Sequence, residues 1–417
     1  MPDLFPFPGL RYRLDALDAD LGAVTAPPYD VIDEEGRARL EAAHPHNAVR
    51  LILPRDVEPG DRYRRARETF EEWRAAGLLV ADDPRLYVYR MTVTGEDGAT
   101  RRMTGVVGAL GLSPLGQDVL PHERTLAKAK SDRLELLRSV RANLDPVWGL
   151  SLAEGLSELF ETVTQNGPPA AGCVDEDGVE HCLFPVDDPG VVDRIRAAIA
   201  STPLVIADGH HRYETALAYR EEQREAGVDD PGADRIMMLV VELAEDQLVV
   251  QPIHRLLRGV THEFRGKLNF VCALSPLGAN TPEGVRHLVE EMERTGNLGL
   301  VDGKGLALVE PRRDSLQSGF DRIPAEVHDV DAARFDLMMG RLSMSVDLPR
   351  EIDYRHDAQA VAAMVLKGAA DMAVLLRPVS VVQIAAVAAA GERMPQKTTF
   401  FQPKPRTGLV FRSLDLG

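Results

Sequence analysis

The sequence predicts a mixed α/β fold, combining α/β and α+β character, and three local patterns carry that expectation. A β-branched run, Val205-Ile-Ala, stops at Asp208-Gly209 and gives way at once to helical spacing, with Tyr213, Ala216 and Leu217 on one face. Tyr63, Ala66, Phe70 and Trp73 recur at the three-to-four interval of a buried helix face. Strand-like runs at residues 86–94 and 101–112 flank Gly95-Glu-Asp-Gly, which has the composition of a hairpin turn.

At 417 residues the chain exceeds one ordinary core, and three regions are expected. The first, residues 1–110, is an N-terminal α/β region that opens with proline turns (Phe5-Pro-Phe-Pro-Gly and Ala26-Pro-Pro-Tyr-Asp). A strand is expected at 48–53, then the amphipathic helix at 61–76 with Gly77 as its C-cap, then the hairpin. The second, residues 111–265, begins with the loop Pro121-His122-Glu123-Arg124-Thr125 and a helix N-capped by Ser131, with Leu134 and Leu137 inward. A hairpin near Cys173 to Leu183, a helix at 191–200, the strand at 204–207 and a helix at 211–225 follow. Apolar runs at 236–243 and 248–253 read as a further hairpin. The third, residues 266–417, is a C-terminal α/β region of alternating strands and helices that ends in a basic tail. Its most apolar stretch, 358–390, is interrupted by Lys367, Asp371, Arg377 and Pro378, so it reads as core rather than as a membrane span of about 20 residues.

Composition narrows the function classes. The hydrophobic share of 44% and charged share of 27% are those of a globular protein. The N-terminal residues have no basic region followed by an apolar run, and three sparse cysteines (Cys173, Cys182, Cys272) make no disulfide framework, so a cytoplasmic location is expected. Cys173 and Cys182 either face each other across their hairpin or are simply small strand residues. A net charge of −17 repels phosphodiester backbones, so a nucleic-acid partner is not expected. Any anionic ligand must then be held at a local basic or dipolar site.

The turn at Asp208 to Arg212 is the strongest such site. It places Gly209, His210, His211 and Arg212 at a helix N-terminus, where amide N–H groups and the macrodipole favour anions. Arg212 offers a planar fork suited to phosphate oxygens, and Gly209 permits close backbone approach. Three cations in succession oppose the dipole unless an anion compensates them. On that reading Arg212→Ala and His211→Ala weaken ligand binding without harming the fold. The plainer reading, an Asp208 N-cap beside surface cations, leaves that cost unexplained. Two adjacent histidines without a third ligand make no metal site.

Two further features stay open between chemistry and structure. His122-Glu123 is either a general base with an orienting neighbour or a solvated loop pair, and nearby Lys128 and Lys130 either neutralise phosphate or form a solvated face. Residues 391–417 hold five basic and two acidic residues in a strongly acidic chain. The proline-bracketed segment from Lys397 to Arg406 either presents cations to the phosphate site or protects an edge strand. Signatures of P-loop, Rossmann, zincin and α/β-hydrolase sites are absent from the sequence.

Several motifs together resemble a known family. Ala-Pro-Pro-Tyr-Asp-Val-Ile at 26–32, His-Pro-His-Asn-Ala-Val-Arg-Leu at 44–51, Leu-Pro-His-Glu at 120–123, Ala-Asp-Gly-His-His-Arg-Tyr-Glu-Thr-Ala at 207–216 and Met-Pro-Gln-Lys-Thr-Thr-Phe-Phe at 394–401 resemble the uncharacterised DUF1015 family across nearly the whole chain. The central segment is also similar to the superfamily of ParB nucleotide-binding domains, sulfiredoxin and free-serine kinases. Sulfiredoxin's Gly-Cys-His-Arg-Tyr loop matches Gly209 to Tyr213 except at His210, which replaces the reacting cysteine, so sulfinic-acid reduction is not implied. The free-serine kinases carry Asp-Gly-His-His-Arg and an upstream glutamate. That resemblance implies a ParB/sulfiredoxin-like nucleotide-binding core. It implies that Gly209, His210, His211 and Arg212 cradle the phosphates of ATP or ADP; Asp208 and, from the basic tail, Lys397 are the further expected nucleotide contacts, with Mg²⁺ accompanying the nucleotide. It further implies Glu123, aided by His122, as the base acting on a small hydroxylated metabolite, with free L-serine foremost. The alternative implied by the ParB likeness is a nucleotide-hydrolysing switch that acts through partners.

Overall fold

A computed structural model describes residues 1–94, 100–123 and 128–416, apart from the side chains of 128–130. The Gly95-Glu-Asp-Gly turn, the Arg124-Thr125 end of the His122 loop and the Lys128 and Lys130 side chains therefore lie outside the described residues. The architecture is mixed α/β, with 39% helix and 28% strand, so neither class dominates. The chain forms two units. One comprises Met1–Pro121, Thr125–Leu248 and Pro403–Gly417, and the other His122–Arg124 and Val249–Gln402. Among the described residues no helix is long and apolar enough to cross a membrane.

The first unit is built on a nine-stranded mixed sheet. Its order runs Val119–Pro121, Leu204–Asp208, Val147–Ser151, Arg235–Glu242, Thr100–Gly111, Leu86–Thr94, Glu180–Val186 and Ala171–Val174, with Leu4–Phe5 added along Thr100–Gly111. Arg235–Glu242 sits at the centre, parallel to Val147–Ser151 and antiparallel to Thr100–Gly111. Residues 236–241 are all buried, and an unbroken apolar run of this kind marks a strand covered on both faces. The hairpin expected from 236–253 is therefore not formed: Val249–Gln251 belongs to the second unit and pairs there with Phe400–Gln402. The helix Arg62–Ala75 buries Ala66, Phe70 and Trp73 as its spacing predicts, and Gly77 follows at φ 68°. The expected strand at 48–53 is a short helix, Val49–Ile52, because Asn47 Oδ1 accepts the Val49 N–H at 2.9 Å. The Asn47 amide also donates to the carbonyls of Ala23 and Thr25, pinning that turn. Ser131 lies inside a helix, Lys128–Val140, rather than capping it, while Leu134 and Leu137 do pack inward near Tyr219 and Leu414. Cys173 and Cys182 are free thiols in adjacent strands, opposite His181 and Gly172 rather than each other.

A smaller sheet in this unit joins Leu79–Ala81, Gly9–Tyr12, Phe411–Ser413 and Ala142–Asn143. The C-terminal strand is fastened by Arg412, which is fully buried and donates to Asn143 Oδ1 and to the carbonyls of Arg235 and Gly232. Burial, with the Arg235 charge and against that of Asp230, pushes this guanidinium down to about 10.

The second unit centres on a six-stranded antiparallel sheet, ordered Cys272–Gly278, Gly305–Pro311, Leu298–Asp302, Met372–Leu375, His254–Arg258 and Glu351–Arg355. The apolar stretch at 358–390 forms a helix, a strand and a helix, of which the first helix and the strand pack into the core on this sheet. His254 is buried, and its Nδ1 accepts the Leu376 N–H at 3.1 Å. Burial, with the charges of His356 and Arg255, pushes this ring down to about 4. Between about pH 6.5 and 4 the unfolded chain then binds a proton that the folded chain refuses. This stabilising contribution is full above pH ~6.5 and falls by roughly 3 kcal/mol as the pH approaches 4. We expect the urea midpoint of the second unit to drop from pH 7 to pH 4.5, and the drop to shrink in His254→Gln. An equal drop in the variant would remove His254 as its cause.

Candidate functional site

The strand Leu204–Asp208 lies between Val119–Pro121 and Val147–Ser151, and its register against the latter shifts between Ile206 and Asp208. The chain then turns through Gly209 at φ 89° into the helix His210–Glu225. A Cβ at Gly209 would stand 2.9 Å from Arg212 Nε, so glycine is required here to make room for a guanidinium folded back beneath the turn.

Arg212 is held from two sides. Its Nη1 donates to Asp145 Oδ2 and to the Pro146 carbonyl, each at 2.6 Å, and its Nη2 donates to Asp208 Oδ2 at 2.8 Å. The three side chains are 11–21% exposed. The compensating anions for this helix-start cation are therefore at least partly the chain's own carboxylates. Beside Arg212 lies a cavity of about 50 Å³ lined by Arg133, Asp145 and Thr215, room for one or two waters rather than a phosphate group.

The tail completes the cluster. Ala26 and Thr407 exchange backbone hydrogen bonds, and Arg406 donates to Thr25, so the segment beginning Ala26-Pro-Pro-Tyr-Asp is stitched to residues 403–407. Lys404, between two prolines, sets its Nζ 3.0 Å from Asp208 Oδ1. Burial alone would raise the Asp208 carboxyl, but Lys404 and Arg212 outweigh it and hold the group well below the usual carboxylate range. Asp30 is an exposed residue. Surrounding protein atoms and the Asp208 charge push its carboxyl up, against the pull of Lys404 and Arg212. Burial likewise pushes the Tyr29 phenol up to about 12, and the Arg133 guanidinium lies over its ring at 4.2 Å.

The structure thus gathers Tyr29, Asp30, Asp145, Asp208, Gly209, Arg212 and Lys404 in the first unit, with His210 and His211 on the first turn of the helix. Asp30, Asp145 and Lys404 were not singled out from the sequence. The signals available were the Tyr-Asp of the proline turn and the positive tail, whereas nothing local marks Asp145. No group of three or more His, Cys, Asp or Glu side chains among the described residues is arranged to hold a metal. Both oxygens of Asp208 already face cations, so the residues present do not make a Mg²⁺ site by themselves.

Glu123, His122 and Lys397 belong to the second unit. Glu123 Oε1 accepts from the Thr398 N–H (3.1 Å), the Thr399 N–H (2.8 Å) and the Thr399 hydroxyl (2.8 Å), while Oε2 accepts from the Lys397 N–H at 3.2 Å. Three successive amides converge on one carboxylate, and Lys397 takes φ 56° to aim them. His122 is buried, with Nε2 2.7 Å from the Thr399 hydroxyl and its ring edge-on to Phe401. Because that hydroxyl donates to Glu123, Nε2–H donates to it in turn.

Among solved structures the chain is similar to a free serine kinase mutant in complex with AMP (TM-score 0.41, 14% identity, covering 75% of this chain and 93% of that one). It is also similar to a conserved hypothetical protein from Pyrococcus furiosus (TM-score 0.38, 13% identity, 75% and 97% covered). A third is SbnI with a C-terminal truncation from Staphylococcus aureus (TM-score 0.38, 12% identity, 72% and 84% covered). No curated protein matches it. The family model for a protein of unknown function, DUF1015, matches residues 4–333, and the chain belongs to that family.

Proposed function

We propose that the chain is a nucleotide-dependent phosphotransferase that binds ATP or ADP at the Asp208 to Arg212 turn and phosphorylates the hydroxyl of a small metabolite, free L-serine being the first candidate. The observation that carries this reading is the strand–turn–helix itself. A 16-residue helix begins at a left-handed glycine with no side-chain cap, beside Lys404 and Arg212. Such a turn aims amide N–H groups and the positive helix end at an incoming anion. Phosphoryl transfer asks a protein chiefly for positioning and charge neutralisation.

The nucleotide would supply the phosphoryl group, and any Mg²⁺ would have to arrive with it, since the described residues make no site for that ion. In this scheme His210 and His211 donate to phosphate from the first helical turn, and Lys404 exchanges part of its contact with Asp208 for a phosphate oxygen. Arg212 keeps the turn in shape through Asp145 and Asp208, and Glu123 is the proton acceptor. Lys397 remains a proposed nucleotide contact.

His211→Ala and Lys404→Met are expected to weaken ADP binding by roughly 10- to 100-fold, the worth of one charge-assisted hydrogen bond. His211→Ala should barely move the melting temperature of the ligand-free protein. Calorimetric titration with ADP checks both, and unchanged affinity in the two variants would move the nucleotide elsewhere. The activity is tested by offering ATP and ADP with hydroxylated amino acids, serine first, and weighing the products. Nucleotide turnover that ignores the acceptor would replace the kinase with a hydrolysing switch.

A further inference from the structure

A different feature of the second unit has the properties of a ligand site. Arg255 lies on the strand His254–Arg258, is 2% exposed, and lines a cavity of about 330 Å³, within the size range of small-molecule pockets. Its one hydrogen bond among the described residues runs from Nη1 to the Ile253 carbonyl at 2.6 Å, and none of their carboxylates lies within ion-pair distance. The Tyr354 and Phe335 rings flank it, 4.9 and 5.8 Å from the guanidinium carbon. Burial pushes the guanidinium below its ordinary value, against the fields of Tyr354, Asp336 and Glu123. Arg412 shows what a purely structural buried arginine looks like in this chain: three neutral acceptors close around it. Among the described residues Arg255 has one acceptor, and it lines the cavity.

The rest of the lining defines a ligand class. Arg393 and Gln396 add a second cation and an amide, and Asp336 adds one carboxylate. Ile323, Pro324, Val327 and Leu337 form an apolar wall. A buried charge is tolerated when an opposite charge meets it, and a guanidinium fork matches a carboxylate in two parallel hydrogen bonds. The apolar wall then accepts an aliphatic body, and Asp336 disfavours a compact dianion.

We propose that this cavity binds a small organic carboxylate, with Arg255 and Arg393 on the carboxylate and the apolar wall on its aliphatic part. The proposal rests on the cavity's own residues in the second unit and does not depend on phosphotransfer. The test is calorimetric titration of the full chain with L-leucine, with its des-amino analogue 4-methylpentanoate, and with inorganic phosphate. Saturable binding of at least one carboxylate is expected, with phosphate binding at least tenfold more weakly. Arg255→Met keeps the stem between the two rings and should weaken carboxylate binding roughly 10- to 100-fold. Should Arg255→Met fail to fold, the rim variant Arg393→Gln should still lose about tenfold. Leucine binding tighter than 4-methylpentanoate assigns Asp336 to an ammonium group, and the reverse order assigns a simple carboxylic acid. No saturable binding of either carboxylate, phosphate binding equally well, or wild-type affinity in the folded variants would overturn the proposal.

Discussion

Arg212→Ala should melt on the order of 10 °C below the parent protein with no ligand present. The sequence alone suggests the opposite, since deleting a cation from a helix start relieves its clash with the macrodipole. Geometry reverses the sign. The guanidinium is 12% exposed and answers Asp145 and Asp208, which are 11% and 21% exposed. Its removal leaves Asp145 without that partner and Asp208 with Lys404 as its remaining ion-pair partner among the described residues. Breaking a buried pair by deleting one member costs about 3–5 kcal/mol, mostly the cost of the stranded charge. In a unit of this size each kcal/mol is worth about 2–4 °C. Arg212→Lys should recover part of the loss, because one ammonium cannot reproduce the fork that spans both carboxylates. Asp208, held below the usual range, adds stability that is complete above its unfolded pKa of about 3.9 and is lost as the pH falls below it. A melting temperature within about 2 °C of the parent would mean that the carboxylates rearrange at little cost.

This reversal shows where legibility stops. The strand, the Asp208-Gly209 turn and the helix after it are local patterns, so residues 204–225 could be read directly. The helix Arg62–Ala75 was legible for the same reason. Pairing across the sheet was not. Two apolar runs close in sequence looked like a hairpin, yet Arg235–Glu242 and Val249–Gln251 take partners from remote parts of the chain. The short apolar run around Val49 fits strand and helix equally well, and the decision rests with one Asn47 hydrogen bond. At the site, the sequence marks the positive tail and points to Lys397 within it. Lys404 is the tail lysine whose amine meets Asp208, because exchange between Ala26 and Thr407 fixes that part of the tail. Asp145 carries no local signal at all, since its role follows from the neighbouring strand entering beside the turn.

Glu123→Gln is the variant with the largest expected effect on catalysis. If Glu123 accepts the substrate proton, turnover falls roughly 10²–10⁴-fold while ADP affinity holds, because an amide cannot take that proton. The substitution is not silent structurally. The four donors to this carboxylate among the described residues are N–H or O–H groups, and the amide nitrogen of glutamine must turn toward some of them. Losing hydrogen bonds to a charged acceptor costs about 1.5–3 kcal/mol, so a lower melting temperature is expected in either role. Thr399→Val separates the two. It removes the hydroxyl that donates to Glu123 and accepts from His122, but leaves the carboxylate and the three amides in place. With Glu123 as base, Thr399→Val keeps most of the activity and shifts the acidic limb of the pH–rate profile, whereas Glu123→Gln abolishes that limb. With Glu123 only fastening the Lys397-Thr398-Thr399 turn, both variants lose stability and raise the acceptor KM while kcat stays near normal. His122→Gln is the remaining control. A collapse of turnover there, with Glu123→Gln nearly normal, would assign the proton to the imidazole and leave the carboxylate as the clasp that holds the tail.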